Sequence, residues 1–353
     1  MKLITDYLRE LGSAALTGWN RFWFSPSDPA TLGFIRICTG AMLFYTHLVW
    51  SKDLLGFFGP AGRLPAEYAR SLHEFNLFAD SGYAWSHLYY LESPQALWIC
   101  HLLALLILLL FTIGCCTRIT SVLAFLITVS YAHRAVGALF GLDQINGFLA
   151  LYLALGPSGA AFSVDQWWRN RRQGGNVQEQ PPQLVMANVS QRLIQVHMCI
   201  VYFFAGVGKL MGQTWWAGTA LWGAFANLEY QTLDLTWLAW HPIVVNVMTQ
   251  LILAWEVTYP ALIWPRLTRP LMLCLAIPLH LGIAIGMGMT TFGLIMLVGN
   301  AAFISPSLLR RLFSPRKQAE DSKQSGKRPA GQGAENRNLS VSSGKRRPQT
   351  QRV

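Results

Sequence analysis

Long apolar runs alternate with short polar segments along the first 305 residues of the chain. The runs lie at residues 30–50, 96–114, 118–138, 144–161, 192–211, 242–264, 270–287 and 289–305. Most of them approach the roughly 20 residues that an α-helix needs to cross the hydrocarbon core of a bilayer. The pattern therefore predicts an all-α, polytopic transmembrane helical bundle with about eight spans. The fourth run is short and the last two are nearly continuous, so the count is open by one.

The two ends of the chain differ from this pattern. Residues 1–24 combine apolar residues at helical spacing with a terminal aromatic cluster, which predicts an amphipathic helix in the headgroup layer. After residue 305 apolar residues are scarce, and a segment of this composition cannot bury enough surface to fold alone. The predicted organisation is an interfacial helix (1–24), a transmembrane bundle (25–305) and a disordered basic tail (306–353).

The composition agrees with a bilayer environment. Of the 353 residues, 52% are hydrophobic and only 13% are charged, whereas about a quarter of the residues in a soluble domain are charged. The formal net charge is +11, but twelve Lys or Arg against three acidic residues lie from Ser305 onward. Because the basic surplus belongs to the tail, we do not expect nucleic-acid binding. The tail is instead expected to meet anionic lipid or an acidic partner.

Lysine and arginine are distributed unequally between successive loops. With the N-terminus inside, the inner segments contain Lys2, Arg9, Arg21, Arg118, Arg169, Arg171, Arg172, Arg266, Arg269 and the basic tail. The outer segments contain Lys52, Arg63, Arg70 and Arg134. By the positive-inside rule, this partition predicts that both termini are cytoplasmic. We expect an integral multi-pass membrane protein, in the inner or plasma membrane of a bacterium or in an endomembrane of a eukaryote.

Lys209 is the most informative ionisable residue within the predicted spans. It lies near the outer end of the fifth run and shares a helix face with Gln195 and Tyr202, at intervals of seven residues. Gly206 and Gly208 would allow a close helix approach or a cavity beside it. Two interpretations are open: the lysine extends to the headgroups, or a dry site keeps its amine neutral and able to act as a base.

Three other polar residues are predicted at the depth of Lys209. His280 falls in the outer half of the seventh run, and Arg134 and Asp143 flank the turn between the third and fourth runs. Ionisable residues in hydrocarbon are costly and often functional, so we predict that these side chains converge on one site. The alternatives are a structural histidine and an Arg134–Asp143 salt bridge between helices.

We expect structural roles for Arg36, Glu256 and the six cysteines. Arg36 and Glu256 lie within apolar runs and are expected to pair with other helices. The six cysteines form no CxxC pair and have no spaced histidine partner, so no metal site is predicted and the thiols are interpreted as small buried hydrophobes.

The Lys209 segment resembles a known family. Tyr202-Phe-Phe-Ala-Gly-Val-Gly-Lys209-Leu, followed by Trp215 and Gly218, is similar to the HTTM domain of vitamin K-dependent gamma-carboxylases. The vertebrate member has a Tyr-Phe-x-Ala-Gly-Val-x-Lys-Leu segment followed by a Trp and a Gly. Further matches in the family's order are Arg36, Asp143-Gln-Ile-Asn146, Ser163-Val-Asp165, Glu256 to Pro260, and His280 with Phe292. Together they extend over most of residues 20–305.

This resemblance implies a chemistry. Lys209 matches the proposed catalytic base of the carboxylase, which would deprotonate reduced vitamin K or another quinol. Oxygenation of the quinol would then generate a stronger base that acts on an acceptor. His280 would be the second catalytic residue and would orient or stabilise the oxyanion. The implied binding residues are Arg134, Asp143, Asn146 and Tyr202.

The chain also departs from the carboxylase. The eukaryotic enzyme continues after its bundle into a large lumenal region, where this chain has its basic tail, and Gly208-Lys209 replaces a doubled lysine. The resemblance therefore implies the bundle and a lysine base, but it does not imply carboxylation of a protein. We expect a quinol-linked, gamma-carboxylase-like membrane enzyme. The alternative is a non-enzymatic scaffold, lipid-binding protein or transporter built on the same bundle.

Overall fold

The computed structural model describes residues 2–74, 85–173 and 181–313, and within these ranges the chain is all-helical apart from one isolated bridge between Ser27 and Leu184. The α-helices are α1 (Lys2–Phe24), α2 (Ala30–Trp50), α3 (Leu54–Phe58), α4 (Ala66–Glu74), α5 (Pro94–Ile113), α6 (Thr117–Arg134), α7 (Gly141–Leu155), α8 (Val164–Arg172), α9 (Val185–Leu210), α10 (Gln213–Trp216), α11 (Ala220–Phe225), α12 (Pro242–Leu262), α13 (Arg269–Gly286), α14 (Thr290–Asn300) and α15 (Pro306–Phe313). Short 3₁₀ helices lie at Ser51–Asp53, His87–Tyr90, Val136–Ala138, Ser158–Ala160, Thr236–Trp240 and Ala301–Phe303.

Four of these helical segments are long and apolar enough to cross a membrane. They are Ala30–Phe58, Pro94–Ile113, Val185–Leu210 and Arg269–Gly286, and a fifth arises if the bent pair at 290–303 and 306–313 forms one span. The other predicted runs also form helices (α6, α7, α12 and α14). Helices α7 and α14 have only 15 and 11 residues, fewer than the roughly 20 of a full span. The all-α class is confirmed, while the count of about eight spans stays a prediction.

Local signals define the ends of the α5 helix. The Ser93 side chain accepts a hydrogen bond from the backbone N–H of Ala96, and Pro94 occupies the first turn, both of which favour helix initiation. Gly114 ends the helix with a φ of 76°, a left-handed conformation that glycine adopts without strain. The sequence between these signals is strongly apolar, which makes α5 a candidate membrane span.

Asp165 of the short helix α8 caps the start of α6. Its two carboxylate oxygens accept hydrogen bonds from the backbone N–H groups of Cys116 and Thr117, each at 2.8 Å, and from the Thr117 hydroxyl at 2.6 Å. Partial burial opposes ionisation, but the hydrogen bonds from Thr117 and Cys116 outweigh it and lower the pKa of Asp165. The charged carboxylate thus fixes α8 against the α6 N-terminus.

Arg36 of α2 fastens the segment that follows α7. Its guanidinium is fully buried and donates to the carbonyl oxygens of Ser158 at 2.6 Å, Ala161 at 3.3 Å and Phe162 at 2.5 Å. A guanidinium has several donors in a fixed plane and can satisfy several carbonyls at once. Arg36 therefore has structural partners, as its place in an apolar run predicted.

The bundle core is built from paired helices, among them α2 with α5, α6 with α7, α9 with α12, and α13 with α14. Gly206 lets α9 and α12 approach closely, because a Cβ at this position would lie 3.0 Å from Val257 Cγ2 and 3.1 Å from Val257 N. Small residues at helix contacts are typical of membrane bundles. This contact determines which residues of α12 face Lys209.

The terminal segments are described only in part. Residues of α1 contact α9, where Asn188 Nδ2 donates to the carbonyls of Phe22 at 2.7 Å and Trp23 at 2.8 Å. Helix α15 lies at the start of the segment predicted as a tail, and residues 314–353 lie outside the described residues. The interfacial position of α1 and the disorder of the tail stay predictions.

Candidate functional site

Lys209 and Glu256 form an ion pair between α9 and α12. Lys209 Nζ lies 2.6 Å from Glu256 Oε2, and the two side chains are 24% and 9% exposed. The Gly206 contact allows the pair to form, because it brings the α9 backbone against Glu256 and Val257. Two charges removed from water each carry a desolvation cost, which their mutual attraction offsets only at close range. The site is therefore a partly buried acid–base pair rather than an isolated amine.

An aromatic ring packs against the lysine of this pair. Lys209 Nζ lies 5.2 Å from the ring centroid of Trp215, in the short helix α10. An ammonium above an indole face gains a cation–π attraction of about 1 kcal/mol, and more where water is excluded. Trp215 thus holds the ammonium close to Glu256.

A buried hydrogen-bonded network joins α9, α12, α13 and α14. The Tyr202 hydroxyl accepts a hydrogen bond from Asn300 Nδ2 at 2.7 Å and lies 2.6 Å from His280 Nε2. Tyr259 donates to Asn300 Oδ1 at 2.7 Å. Because the amide already donates to Tyr202, the tyrosine hydrogen is available for His280 Nε2. A neutral His280 then carries its ring proton on Nδ1, which has no hydrogen-bond partner among the described residues.

The ion pair and the network belong to one site. The Trp255 ring, next to Glu256 in sequence, has its centroid 4.9 Å from Tyr202 and 6.3 Å from His280. We call this group, Lys209, Glu256, Tyr202, His280 and Asn300, the α9 site.

Two apolar cavities border the α9 site. One of about 860 Å³ lies between α2, α13 and α14 and is bounded in part by Asn300. The other, of about 250 Å³, lies between α11, α12 and α13 and is bounded in part by Trp255. Ligand pockets are commonly about 300–1,000 Å³ and largely apolar with a few polar groups. The surroundings of the site thus suit an apolar molecule with a small polar head.

Arg134 and Asp143 have partners outside the α9 site, and Asn146 is buried apart from it. The 1% exposed Arg134 donates to the Phe58 carbonyl at 3.4 Å, and Asp143 accepts from the backbone N–H of Phe140 at 3.0 Å. Asn146 is buried within α7. Within the described ranges Arg134 and Asp143 form no ion pair with each other, so the alternative Arg134–Asp143 salt bridge does not form.

From the sequence, Glu256 was expected to have only a structural role, and Asn300 was not predicted as a site residue. The sequence did contain a sign of the role of Glu256, because this glutamate is the charged residue of the apolar run 242–264 and therefore needs a partner on another helix. Asn300 ends α14 with no local feature that marks it. The roles of Glu256 and Asn300 in the site depend on which helices pack together, which their own sequence segments do not specify.

One group within the described residues has the spacing of a metal site. The ligand atoms of Cys115, Cys116 and Asp165 lie within 4.8 Å of one another. However, both carboxylate oxygens of Asp165 accept hydrogen bonds from the α6 N-terminus. We therefore assign Asp165 to helix capping.

Comparison with known proteins identifies the domain family of the chain. The family model of the HTTM domain matches residues 24–307. Neither the curated proteins nor the solved structures gave a match. The family match confirms the resemblance at the level of the domain and includes every residue of the α9 site. Since it extends over most of the chain, this membrane protein belongs to the HTTM domain family.

Proposed function

We propose that the protein is a membrane enzyme that deprotonates a hydroxyl group of an apolar, quinol-like substrate at the α9 site. The observation that carries this proposal is the 2.6 Å ion pair between Lys209 and Glu256, with the glutamate more deeply buried than the lysine. Acid–base residues within a bundle are costly to keep and characteristic of proton-transfer sites.

The pair can take up one proton without leaving a charge unbalanced. Lys209 passes its proton to Glu256, and the neutral amine then accepts the proton of the substrate hydroxyl. The products are a protonated Glu256, a Lys209 ammonium and a substrate oxyanion held beside that ammonium. Glu256 thus supplies what a lysine base requires, because an ammonium alone cannot accept a proton. The buried position strengthens the attraction between ammonium and oxyanion.

His280 has a second role in this proposal. Its Nδ1–H, directed by the Tyr202 hydrogen bond at Nε2, is a preorganised donor for the developing oxyanion. Tyr202 and Asn300 act as positioning residues, because they fix the ring orientation and the tautomer.

The substrate class follows from the surroundings. A quinol offers a weakly acidic hydroxyl on an apolar ring, and the cavity of about 860 Å³ could hold its apolar chain. By the resemblance, reduced vitamin K or another quinol is the cofactor-like substrate, and dioxygen would react with the deprotonated form. Arg134, Asp143 and Asn146 are proposed only as outer groups that shape the bundle near the site.

We also propose that all eight helices α2, α5, α6, α7, α9, α12, α13 and α14 cross the bilayer, with both termini cytoplasmic. The distribution of Lys and Arg supports this topology. After removal of the native cysteines, an impermeant maleimide added outside should label a Leu228→Cys variant and not a Ser322→Cys variant. The reverse pattern would overturn the orientation.

Quinol turnover by the purified full-length protein tests the enzymatic proposal. In nanodiscs containing a reduced naphthoquinone and dioxygen, we expect the wild type to consume quinol faster than empty nanodiscs. Lys209→Ala and Lys209→Arg should both be inactive yet folded, because arginine keeps the charge but cannot lose its proton near neutral pH. The control is Lys52→Ala, which removes an exposed lysine. Near-normal turnover by Lys209→Arg would contradict a lysine base.

A lipid-binding scaffold is the second candidate. It is favoured by the position of Lys209 near the end of α9 under Trp215, where an ammonium could hold an anionic headgroup. For this function we expect the protein to bind lipid without turning over quinol. The Lys209→Arg variant should keep its lipid binding, because arginine keeps the positive charge.

A further inference from the structure

A second buried polar group lies apart from the α9 site, between α2, α6 and α7. It borders a cavity of about 20 Å³ whose polar lining includes His47, Asn146, Tyr131 and Asp143. His47 is 4% exposed and Asn146 is 2% exposed. His47 Nε2 and Asn146 Oδ1 are both buried and have no hydrogen-bond partner among the described residues.

Both of these atoms are hydrogen-bond acceptors. His47 Nδ1 lies 2.8 Å from the carbonyl oxygen of Leu43, and a carbonyl can only accept, so Nδ1 carries the ring proton. In the neutral imidazole Nε2 is then a bare lone pair. Asn146 Oδ1 is likewise an acceptor, and two acceptors cannot satisfy one another. Leaving each of them buried without a donor costs about 1–3 kcal/mol.

We infer that this cavity binds one water molecule, which donates one hydrogen to His47 Nε2 and the other to Asn146 Oδ1. A water needs a space of roughly 10–15 Å³ or more for its probe sphere and two to four polar partners, and this cavity meets both conditions. Water is the smallest ligand with two donors at one atom. The same volume excludes any larger ligand.

The water would join a hydrogen-bonded chain through the outer half of the bundle. Tyr131 also lines the cavity, and its hydroxyl lies 2.7 Å from His101 Nδ1. His101 Nε2 lies 2.8 Å from Ser51 Oγ. The site would thereby link α2, α5, α6 and α7. This inference is independent of the proposed function, and it excludes a quinol ring from the cavity beside Asp143 and Asn146.

A structure at a resolution that shows buried waters tests the inference directly. In the full-length wild type, we expect one density peak within hydrogen-bond distance of both His47 Nε2 and Asn146 Oδ1. An empty cavity in a map that shows other buried waters would overturn the inference. Direct contact between His47 and the amide nitrogen of Asn146, with no water, would overturn it as well.

A double-mutant cycle on Tm measures whether His47 and Asn146 are coupled through the proposed water. His47→Phe and Asn146→Leu each remove one acceptor and should each lower the Tm, because the other acceptor loses its water. Once both are replaced no unsatisfied acceptor is left, so the double variant should lose less Tm than the sum of the single losses. As a control, Asn188 has its own partners in α1, and His47→Phe with Asn188→Leu should be additive. Additive losses for His47 and Asn146 would overturn the inference.

Discussion

Removing Lys209 and removing Glu256 should lower the free energy of unfolding by different amounts. Removing one partner of a buried pair costs about 3–5 kcal/mol, because the other charge is stranded. Lys209→Met leaves the carboxylate of Glu256, whose side chain is only 9% exposed, so we expect a loss of about 3 kcal/mol. Glu256→Gln leaves an ammonium on a side chain that is 24% exposed and can extend toward the headgroups, so we expect about 1 kcal/mol.

The assay is reversible denaturation of the purified protein in mixed detergent, followed by tryptophan fluorescence. The double variant Lys209→Met/Glu256→Gln should lose less free energy of unfolding than the sum of the single variants, because neither charge is stranded. The control is the exposed pair Arg63–Asp53, at 66% and 44% exposure. Arg63→Met should cost less than about 1 kcal/mol. Equal losses for Lys209→Met and Glu256→Gln, or additive losses in the double variant, would refute the reasoning.

Three further predictions concern the frame of the site. Gly206→Ala should lower both the Tm and any quinol turnover, because its Cβ would meet Val257 at 3.0 Å. Gly208→Ala has open space, so it should leave turnover unchanged and should not lower the Tm. Asp165→Asn should cost about 1 kcal/mol of unfolding free energy at neutral pH. Because the pKa of Asp165 is lowered, the difference in unfolding free energy between the wild type and Asp165→Asn should disappear as the pH falls below about 4. A difference that stays constant over this pH range would contradict a charged helix cap at Asp165. Deleting residues 316–353 should leave a monodisperse protein of unchanged Tm, and aggregation of the truncated protein would show that the tail contributes to the fold.

The helices could be predicted from the sequence because their signals are local. The first apolar run, 30–50, has the same bounds as α2, and each of the other seven also falls on a helix. What the pattern could not settle is which helices cross the bilayer. A run such as that of α14 is apolar but yields only 11 α-helical residues before a 3₁₀ turn, and this break depends on packing as well as on composition.

The candidate site was predictable only along one helix. The seven-residue spacing of Tyr202 and Lys209 fixes their common face, because both lie on α9. Their partners, His280, Glu256 and Asn300, come from three other helices, and which helices pack together is not encoded in local spacing. His280 was predicted because it falls at the same depth of the membrane as Lys209. Depth alone does not show which helices are neighbours within the bundle.

Arg134 and Asp143 show the limit of reasoning from depth. They flank the turn between α6 and α7, yet Arg134 donates to the Phe58 carbonyl of α3 while Asp143 caps its own helix. A short connection brings two residues near one another, but side-chain direction decides whether they meet.

The two buried polar groups differ in a way that bears on function. The group around His47 and Asn146 borders a cavity with room for about one water, so it can hold helices together but cannot admit an organic substrate. The α9 site has an acid–base pair, a histidine whose Nδ1 has no partner within the described residues, and large apolar cavities at its borders. Proton transfer to a substrate requires titratable groups and space for the substrate at the same place. Of the two groups, the α9 site has the acid–base pair, and its member Asn300 lines the cavity of about 860 Å³, so we assign the proposed chemistry to Lys209 and Glu256.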